Sequence, residues 1–289
     1  MLARMSGVLI CPRCRQSVAQ QSAAGEFELS CPKCAEPIPR QGDQFVFSAF
    51  PPEPFQADWL NNIKQSAKLR LGKYYPLAIE LLSPVYARRF VASFLKTFDL
   101  ERELVVDLGS GTSQYRERVA CVDGAAYPNC HVVARLEDLP FQDDSFNGII
   151  SVAVLEHVPA PHAHVREMWR ILKPGGRVLC FIPFMQGFHA SPHDYQRYTH
   201  NGLRQLFSEF DVIDVQVGAG PTSGMLWVLQ EWLALVLSFG SERLYRLLVP
   251  VTWILSPLKW LDWILDRHSS AYVIASGFVI EARKPQQPA

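Results

Sequence analysis

The sequence predicts an α/β protein built on a doubly wound, mainly parallel β-sheet. Between residues 104 and 182, short apolar runs alternate with segments of helical periodicity, as in sheets whose parallel strands are joined by crossover helices. The first apolar run ends in an acidic residue followed by a glycine-rich turn, which is typical of a ligand-binding edge. Of the 289 residues, 48% are hydrophobic and 19% are charged, which excludes wholesale disorder. The length suggests about two domains.

Two closely spaced cysteine pairs predict a small metal-bound module at residues 1–50. Cys11 and Cys14 flank Pro-Arg, and Cys31 and Cys34 flank Pro-Lys, so each pair can turn back and aim two thiolates at one point. Two such pairs make a tetrahedral zinc site of the ribbon type. A segment of about fifty residues buries little core, so the metal would supply much of its folding free energy. The alternative is a pair of separate redox dithiols.

The other cysteines and the N-terminus favour a reducing compartment. Cys121, Cys130 and Cys180 lie in apolar stretches, where we expect them to be buried as small hydrophobic side chains. Seven cysteines are too few for a disulfide scaffold of this size, and residues 1–10 lack the long apolar core of a signal peptide. We therefore expect a cytoplasmic protein.

Residues 51–103 are predicted to form a helical connector between the cysteine module and the sheet. The run Pro-Pro-Glu-Pro at 51–54 is a stiff break and marks a domain boundary. Residue periodicity predicts one helix over 57–71 and a second over 76–98, which Pro84 would kink or divide. These helices either pack on the sheet or form a lid over the active site.

The strongest functional signal is the run Glu-Leu-Val-Val-Asp-Leu-Gly-Ser-Gly-Thr at 103–112. An apolar strand ends at Asp107, and Gly109 and Gly111 let the backbone approach a ligand closely. A dinucleotide fingerprint needs a third glycine three residues later, where this chain has Gln114. A carboxylate at the strand end also suits a cationic amino group better than it suits a pyrophosphate. These features favour a positively charged ligand.

Further strands are predicted downstream, at residues 119–123, 130–133, 148–158 and 177–182, with a helix at 162–172. The first of them ends in Asp123, whose two carboxylate oxygens could accept hydrogen bonds from both hydroxyls of a ribose. The intervening segment is short, so the first crossover helix, over residues 113–118, spans at most about two turns.

This segment resembles the class I S-adenosylmethionine-dependent methyltransferases of the type 11 group. The resemblance covers about residues 100–215 and includes the run Leu-Pro-Phe-Gln-Asp-Asp-Ser-Phe at 139–146. It implies a Rossmann-like sheet, methyltransferase activity and S-adenosylmethionine as the cofactor. The residues that match the cofactor-binding motifs are Asp107, Gly109, Gly111, Asp123, Glu137, Asp138 and Val154.

Three departures from the family pattern concern the same region. Ser113 stands at the third position of the family's first glycine run, and the second crossover helix is almost absent. Arg135 stands where many relatives have an aspartate that contacts the adenine, so Glu137 or Asp138 is expected to make that contact instead.

Residues 8–50 also resemble the small zinc ribbons that are fused to methyltransferases or partner with them.

The resemblance places two candidate catalytic segments over the carboxyl ends of the strands. Methyl transfer requires alignment of the acceptor with the methyl carbon, and oxygen or nitrogen acceptors also need a base. The candidate catalytic residues are His157, which follows the fourth strand, and His193 with Asp194 in the loop at 188–200. The alternative for His157 is packing beside the cofactor.

The loop at 188–200 also has a purely structural interpretation. Asp194 would pair with Arg197, and Thr199 would cap a helix at 201–210. His193 fits either interpretation equally well, as a base beside a carboxylate or as part of the scaffold.

An apolar insertion at 222–268 separates the predicted sixth strand, at 211–217, from the closing strand, at 272–282. It contains tryptophans interspersed with basic residues, among them Lys259, which would face lipid headgroups if the insertion lies on a membrane. A membrane-spanning helix needs about 20 apolar residues, and prolines and acidic residues interrupt both apolar runs here. The insertion therefore fits an interfacial helical hairpin, a homodimer interface or a substrate lid.

The leading functional hypothesis is methyl transfer to a hydrophobic or lipid-linked small molecule or glycan intermediate. Lys+Arg and Asp+Glu both total 28, and this zero net charge argues against nucleic acid as the partner. An RNA base is the alternative acceptor, because zinc ribbons also precede RNA methyltransferases. A third hypothesis is a non-catalytic cofactor-binding or membrane-associated partner protein. With a hydrophobic acceptor, we expect a peripheral position at the inner face of the membrane.

Overall fold

The computed structural model describes residues 1–23, 26–35, 37–47, 70, 72–85, 90–190 and 193–286. These residues form a hairpin of β1 and β2 and a nine-stranded sheet. The strands are β1 Ala19–Ala23, β2 Glu26–Ser30, β3 Arg40–Gln41, β4 Gln44–Val46, β5 Val105–Leu108, β6 Val119–Asp123, β7 Val132–Val133, β8 Phe146–Val152, β9 Leu172–Pro183, β10 Asp211–Ala219 and β11 Gly277–Arg283.

Helices precede and follow the strands. The α-helices are α1 Leu2–Ser6, α2 Tyr75–Leu82, α3 Phe90–Leu95, α4 Pro161–Ile171, α5 His200–Leu206, α6 Pro221–Leu237, α7 Glu242–Thr252 and α8 Asp262–Leu265. Short 3₁₀ helices lie at Gly72–Tyr74, Leu155–His157, Trp253–Leu261 and Ala271–Val273.

The large sheet has the strand order β10-β11-β9-β8-β5-β6-β7-β4-β3. The six neighbouring strands from β9 to β4 run parallel to one another. At one edge β11 pairs antiparallel with both β9 and β10, and at the other edge β3 pairs antiparallel with β4. Parallel strands present their carboxyl ends at one edge, so the loops after β5, β6 and β8 converge. The predicted doubly wound α/β class is confirmed.

Alternate residues of the central strands pack against different layers. Val106 and Ile149 belong to the larger buried cluster, which includes Met168 of α4. Val105 and Ile150 belong to a second cluster with Phe94 of α3. Because side chains alternate across a strand, these two clusters lie on opposite faces of the sheet. Helix α3 therefore packs on the sheet, one of the two roles expected for the connector.

The connections between β5, β6 and β7 contain less helix than the sequence analysis predicts. Across these fully described segments the chain forms turns and no helix, and the predicted one at 113–118 is replaced by a turn in which Ser113 N–H donates to Ser110 O at 2.9 Å. Too few residues are available for a crossover helix to leave the sheet and return. The cofactor edge is consequently bordered by loops.

The N-terminal module is continuous with the sheet. Strand β4 pairs with β7 in parallel, with Phe45 opposite Val132. Leu9 forms a bridge with Phe141, and Ile10 N–H donates to Pro140 O at 3.0 Å. Leu9, Phe45 and Phe141 are all 0% exposed within one cluster. The module and the sheet therefore share a hydrophobic core, a connection that the sequence did not predict.

The helical connector is described in part. Helix α2 ends at Leu82 and α3 begins at Phe90, so the predicted division near Pro84 is present. The helix predicted over 57–71 lies almost entirely outside the described residues, as do residues 86–89. Helix α2 contacts the insertion, because Ser256 Oγ donates to Leu82 O at 2.7 Å.

The apolar insertion buries polar side chains and exposes apolar ones. Asp262 is 0% exposed and accepts hydrogen bonds from Thr222 N–H at 2.7 Å and Ser223 Oγ at 2.6 Å. Lys259 is 1% exposed and donates to the carbonyls of Glu80 and Ser83. The expectation that Lys259 faces lipid headgroups is therefore wrong, because its ammonium satisfies orphan carbonyls at the end of α2.

Within the described part of the chain, one helical stretch meets the length and composition of a membrane span. It is Glu242–Leu265, which joins α7, the 3₁₀ turn and α8 over 24 residues, and 28% of its apolar window is buried in the protein. Its buried side carries the polar anchors Ser256, Lys259 and Asp262. The exposed side is apolar, with Ile254 at 80% and Trp263 at 64%.

Candidate active site

The loop after β5 brings the backbone close to an open space at the carboxyl edge of the sheet. Gly109 has φ +79°, and a Cβ atom there would lie 2.4 Å from Val154 Cγ2. Gly111 has φ +52°, and no described atom lies within 4 Å of the position its Cβ would take. The first glycine permits close packing on the end of β8, and the second leaves room for a ligand against the backbone.

The carboxylate of Asp123 fixes this loop. Its Oδ2 accepts a hydrogen bond from Gly111 N–H at 2.8 Å, and its Oδ1 accepts one from Ala125 N–H at 3.0 Å. Burial raises the pKa of Asp123, while these backbone donors act in the opposite direction. Each carboxylate oxygen can accept a second bond, so the predicted pairing with two ribose hydroxyls fits this geometry.

Asp107 is a buried carboxylate to which no hydrogen bond is seen among the described residues. It is 2% exposed, and burial, with a smaller contribution from the Asp123 charge, raises its pKa to about 7. An ionised carboxylate in such a place is costly unless a positive charge joins it. Asp107 therefore fits the predicted binding of a cationic amino group.

Two tyrosines near these carboxylates were not identified from the sequence. Burial and the Asp107 charge raise the pKa of Tyr115, and burial and the Asp123 charge raise the pKa of Tyr127. Both lie in the short connections that replace the crossover helices, where no motif marks them. The shortened connections thus supply aromatic side chains to the cofactor edge.

The remaining predicted cofactor residues lie in different environments. Val154 is 6% exposed and packs against Gly109. Asp138 is mostly exposed and forms an ion pair with Arg15 of the N-terminal module at 2.9 Å. Glu137 is half-buried. The predicted adenine contact of Glu137 or Asp138 stays a prediction.

Asp194 and Arg197 hold the segment that carries His189. The Asp194 side chain is 2% exposed, accepts a hydrogen bond from His189 N–H at 2.8 Å and pairs with Arg197 Nη2 at 2.7 Å. Thr199 Oγ1 accepts from Gly202 N–H at 3.1 Å, which confirms the predicted cap. The geometry gives Asp194 the structural role that the sequence left open.

His157 contacts this loop through the backbone of His193. Its Nδ1 lies 2.5 Å from the carbonyl oxygen of His193. His193 itself is exposed. Two residues whose meeting the sequence did not predict complete the cluster. They are Glu156, which is 0% exposed, and His189, whose ring lies 5.4 Å from that of His157. Their separation along the chain hid this convergence.

An apolar cavity of about 250 Å³ lies beside the histidine cluster. It is lined by Phe90 and Val91 of α3, by Phe181 of β9 and by Trp227 of α6. The Trp227 ring also lies 5.3 Å from the ring of His189. The cavity can hold a small apolar group, and Trp227 connects it both to the histidines and to the insertion.

The four N-terminal cysteines converge on one point. Sγ atoms of Cys11 and Cys34 are 3.5 Å apart, and those of Cys14 and Cys31 are 3.4 Å apart. None of the four forms a disulfide bond among the described residues. Tetrahedral zinc with Zn–S bonds of 2.3 Å separates its sulfurs by roughly 3.8 Å, so the spacing fits zinc after slight expansion.

The two cysteine knuckles have the same backbone geometry. Arg15 N–H donates to Cys11 O and Ala35 N–H donates to Cys31 O, each at 2.9 Å. Both Arg15 and Ala35 have positive φ, of 60° and 52°. This repeated turn aims two thiolates from each knuckle at the shared centre.

Comparison with known proteins identifies the central segment. Residues 106–180 match a family model described as a methyltransferase domain. The chain contains a methyltransferase domain. The match begins within β5 and ends in β9, so it contains Asp107, both glycines and Asp123.

The methyltransferase domain is similar to several known proteins. It is 37% identical over 110 residues to the ubiquinone/menaquinone biosynthesis C-methyltransferase UbiE of Bartonella quintana, covering 34% of this chain and 42% of that protein. It is 31% identical over 125 residues to the Homo sapiens protein named "Probable tRNA methyltransferase 9B", covering 37% and 28%. The chain thus spans less than half the length of either relative.

A solved structure was also matched, that of Haemonchus contortus phosphoethanolamine N-methyltransferase 2 in complex with S-adenosyl-L-methionine. The identity is 17% and the TM-score 0.42, over 68% of this chain and 52% of that one.

The raised pKa of Asp107 predicts pH-dependent cofactor binding by the methyltransferase domain. The ammonium group of the cofactor requires an ionised Asp107 carboxylate. At a pH below the Asp107 pKa of about 7 in the cofactor-free protein, the carboxyl group must therefore lose its proton when the cofactor binds. Affinity for S-adenosylmethionine should fall about tenfold between pH 7.5 and pH 6. Calorimetry in buffers of different ionisation enthalpy measures both the affinity and the released proton. A flat affinity over this interval would contradict the assignment.

Proposed function

We propose that the protein transfers a methyl group from S-adenosylmethionine to a hydrophobic or lipid-linked acceptor at a membrane surface. The buried carboxylate of Asp107, beside a glycine turn with open space, is the observation that carries cofactor binding. When bound, the cofactor supplies an electrophilic methyl group on a sulfonium. Asp107 would bind its ammonium group, Asp123 its ribose hydroxyls, and the backbone at Gly111 would lie against it.

The acceptor class is inferred from the apolar face, defined here as the exposed apolar side chains of α6 and of Glu242–Leu265. Such a contiguous apolar surface is typical of a membrane or protein interaction site. Buried polar contacts hold its helices onto the protein, so the apolar side is directed outward. Its most exposed members are Met225, Trp232, Leu235, Leu247, Val251, Ile254, Leu261, Trp263 and Ile264.

The route from this face to the active site supports the same proposal. Helix α6 carries exposed residues of the apolar face and also Trp227, which lines the apolar cavity and contacts His189. An acceptor held in the lipid could therefore insert an apolar group beside the histidines. The Bartonella quintana relative is a C-methyltransferase of ubiquinone and menaquinone biosynthesis, which agrees with an apolar acceptor.

Vesicle binding tests the membrane part of the proposal. Full-length protein should sediment with phospholipid vesicles, and Ile254→Asp or Trp263→Asp should lower the partition coefficient about tenfold or more. The reason is that burial of each such side chain is worth about 1.5–3 kcal/mol. Co-sedimentation at fixed ionic strength measures the effect, and affinity for S-adenosylmethionine should remain unchanged.

The matched control is Ile213→Asp, because Ile213 is an equally apolar residue, 49% exposed, on β10 outside the insertion. This variant should bind vesicles like the wild type. If wild-type protein stays in the supernatant, or if Ile213→Asp weakens binding equally, the membrane proposal is wrong. A stable dimer that Ile254→Asp dissociates would assign the face to a second copy of this chain.

We further propose that the four cysteines bind one structural zinc ion. The converging thiols and repeated knuckle turns support this, as does the small size of the module. The metal would hold β1, β2 and the knuckles against the sheet edge. The methyl-transfer chemistry would remain with the sheet.

An RNA base is the second candidate acceptor, because part of the chain is similar to a protein named as a tRNA methyltransferase. The zero net charge gives no basic footprint for it. Retention of transfer RNA that weakens steeply with salt, together with methyl transfer to it, would favour this alternative.

A further inference from the structure

The cluster of Glu156, His157 and His189 has the form of a metal site. Glu156 is 0% exposed, and neither of its carboxylate oxygens has a hydrogen-bond partner among the described residues. Its Oε1 lies 3.7 Å from Nε2 of His157 and 3.7 Å from Nε2 of His189. These distances exceed those of hydrogen bonds, so the carboxylate is approached by two imidazoles without being satisfied by either.

The backbone fixes the tautomers of both histidines. His157 Nδ1 lies 2.5 Å from His193 O, and His189 Nδ1 lies 2.9 Å from Gly187 O. A carbonyl oxygen only accepts, so each Nδ1 carries the hydrogen and each neutral ring presents its Nε2 lone pair. Arg197 Nη2 approaches His189 Nδ1 at 3.3 Å, a longer contact from a donor already bound to Asp194. Three electron-pair donors therefore converge.

We infer that Glu156, His157 and His189 bind a divalent transition-metal ion beside the cofactor edge. The potential ligand atoms lie within 4.8 Å of one another. Imidazole nitrogen and carboxylate oxygen bind zinc at about 2.0–2.2 Å, which separates tetrahedral ligands by roughly 3.4 Å. The two Glu156–histidine distances of 3.7 Å need to contract by a few tenths of an ångström. The two imidazole nitrogens lie within 4.8 Å of each other and need to approach by at most about 1.4 Å. Three protein ligands leave a coordination position open, as in catalytic metal centres.

The surroundings have the features of a supported metal centre. Metal-binding histidines usually donate their second ring nitrogen to a carbonyl or carboxylate, as both do here. The loop that carries His189 is fixed by Asp194 and Arg197. The His157 and His189 side chains are 13% and 26% exposed, so an ion can enter from their side.

The role of the ion rests on the proposed function. Glu156 and His157 follow Val154, which packs on the cofactor glycine turn. An acceptor hydroxyl bound at the open position would lose its proton to solvent water more readily. Its oxygen would then form the bond to the methyl carbon as the carbon–sulfur bond breaks, and that electron pair would remain on the neutral sulfur. The site therefore favours an oxygen acceptor.

Zinc stoichiometry tests the site independently of activity. Protein equilibrated with Zn²⁺ and desalted should hold one ion beyond that of the cysteine cluster. Glu156→Gln and His189→Gln should each weaken this second binding at least tenfold, with melting and S-adenosylmethionine affinity close to wild type. The matched control is His162→Gln, an exposed histidine of α4, which should retain both ions.

A second measurement needs no variant. Bound Zn²⁺ should protect His157 and His189 of the wild type from diethyl pyrocarbonate, detected by mass spectrometry, while His162 reacts unchanged. The inference is wrong if no second ion binds, or if the glutamine variants bind it as tightly as the control. S-adenosylmethionine binding without a second ion would overturn the metal site and leave the proposed function intact. Failure of S-adenosylmethionine to bind would instead contradict the proposed function.

Discussion

Asp107→Asn should weaken S-adenosylmethionine binding about ten- to a hundredfold, since hydrogen bonds to charged groups are worth about 1.5–3 kcal/mol. The same change should stabilise the cofactor-free protein at pH 8. The pKa of Asp107 is raised to about 7 in the folded state. The protonated carboxyl group therefore favours the folded state fully at a pH below the pKa of the unfolded chain, and this contribution is lost as the pH rises through 7. Removing an ionisation with this pKa shift should add about 1–4 kcal/mol. Calorimetric binding and denaturant unfolding measure the two effects.

The pH dependence supplies the control for this prediction. At pH 4 most of the Asp107 carboxyl groups are protonated in the folded protein, so Asn should give little added stability there. Gain of stability at both pH values would indicate a packing effect. Unchanged cofactor affinity in the variant would show that the cation site lies elsewhere.

If the four cysteines bind zinc as proposed, loss of the ion should destabilise the sheet as well as the module. Phe45 and Leu9 are fully buried in the core shared with Phe141, and β4 extends the sheet beyond β7. Cys14→Ser should therefore lower the melting temperature by on the order of 10 °C, from the stability lost with a structural metal. Calorimetry and zinc content measured on the same sample check this.

Lys33→Ser is the matched control, because Lys33 is an exposed knuckle residue beside Cys34 and is not a candidate ligand. It should retain zinc and melt like the wild type. A chelator should lower the melting temperature of Lys33→Ser and of the wild type equally, and added zinc should restore both. If Cys14→Ser keeps its zinc and its stability, the cysteines do not form a structural metal site.

The cofactor edge was predictable because its signals are local. Asp107, Gly109 and Gly111 lie within five consecutive positions at the end of the apolar strand β5, and Asp123 ends β6. Neighbouring parallel strands necessarily bring these positions together. The sequence could therefore place the predicted carboxylates at one edge, and the structure adds their burial and the raised pKa of Asp107.

The parts that sequence reasoning missed depend on contacts between distant segments. Glu156 and His189 meet because the loop after β9 folds back over the end of β8, which no local pattern specifies. The sequence suggested that Lys259 faces lipid headgroups, but its ammonium donates to carbonyl groups at the end of α2. The pairing of β4 with β7 likewise depends on Phe45 entering a core formed by residues about ninety positions later.

Transfer of label from S-adenosylmethionine tests the central claim most directly. Full-length protein would be incubated with [methyl-³H]S-adenosylmethionine and either a membrane lipid extract or total RNA, with Asp107→Asn as the matched control. We predict that wild-type protein moves label into the organic phase, with at least tenfold less transfer by Asp107→Asn at subsaturating cofactor. Label that appears only in RNA, or no transfer into lipid by protein shown to bind the cofactor, would contradict the account.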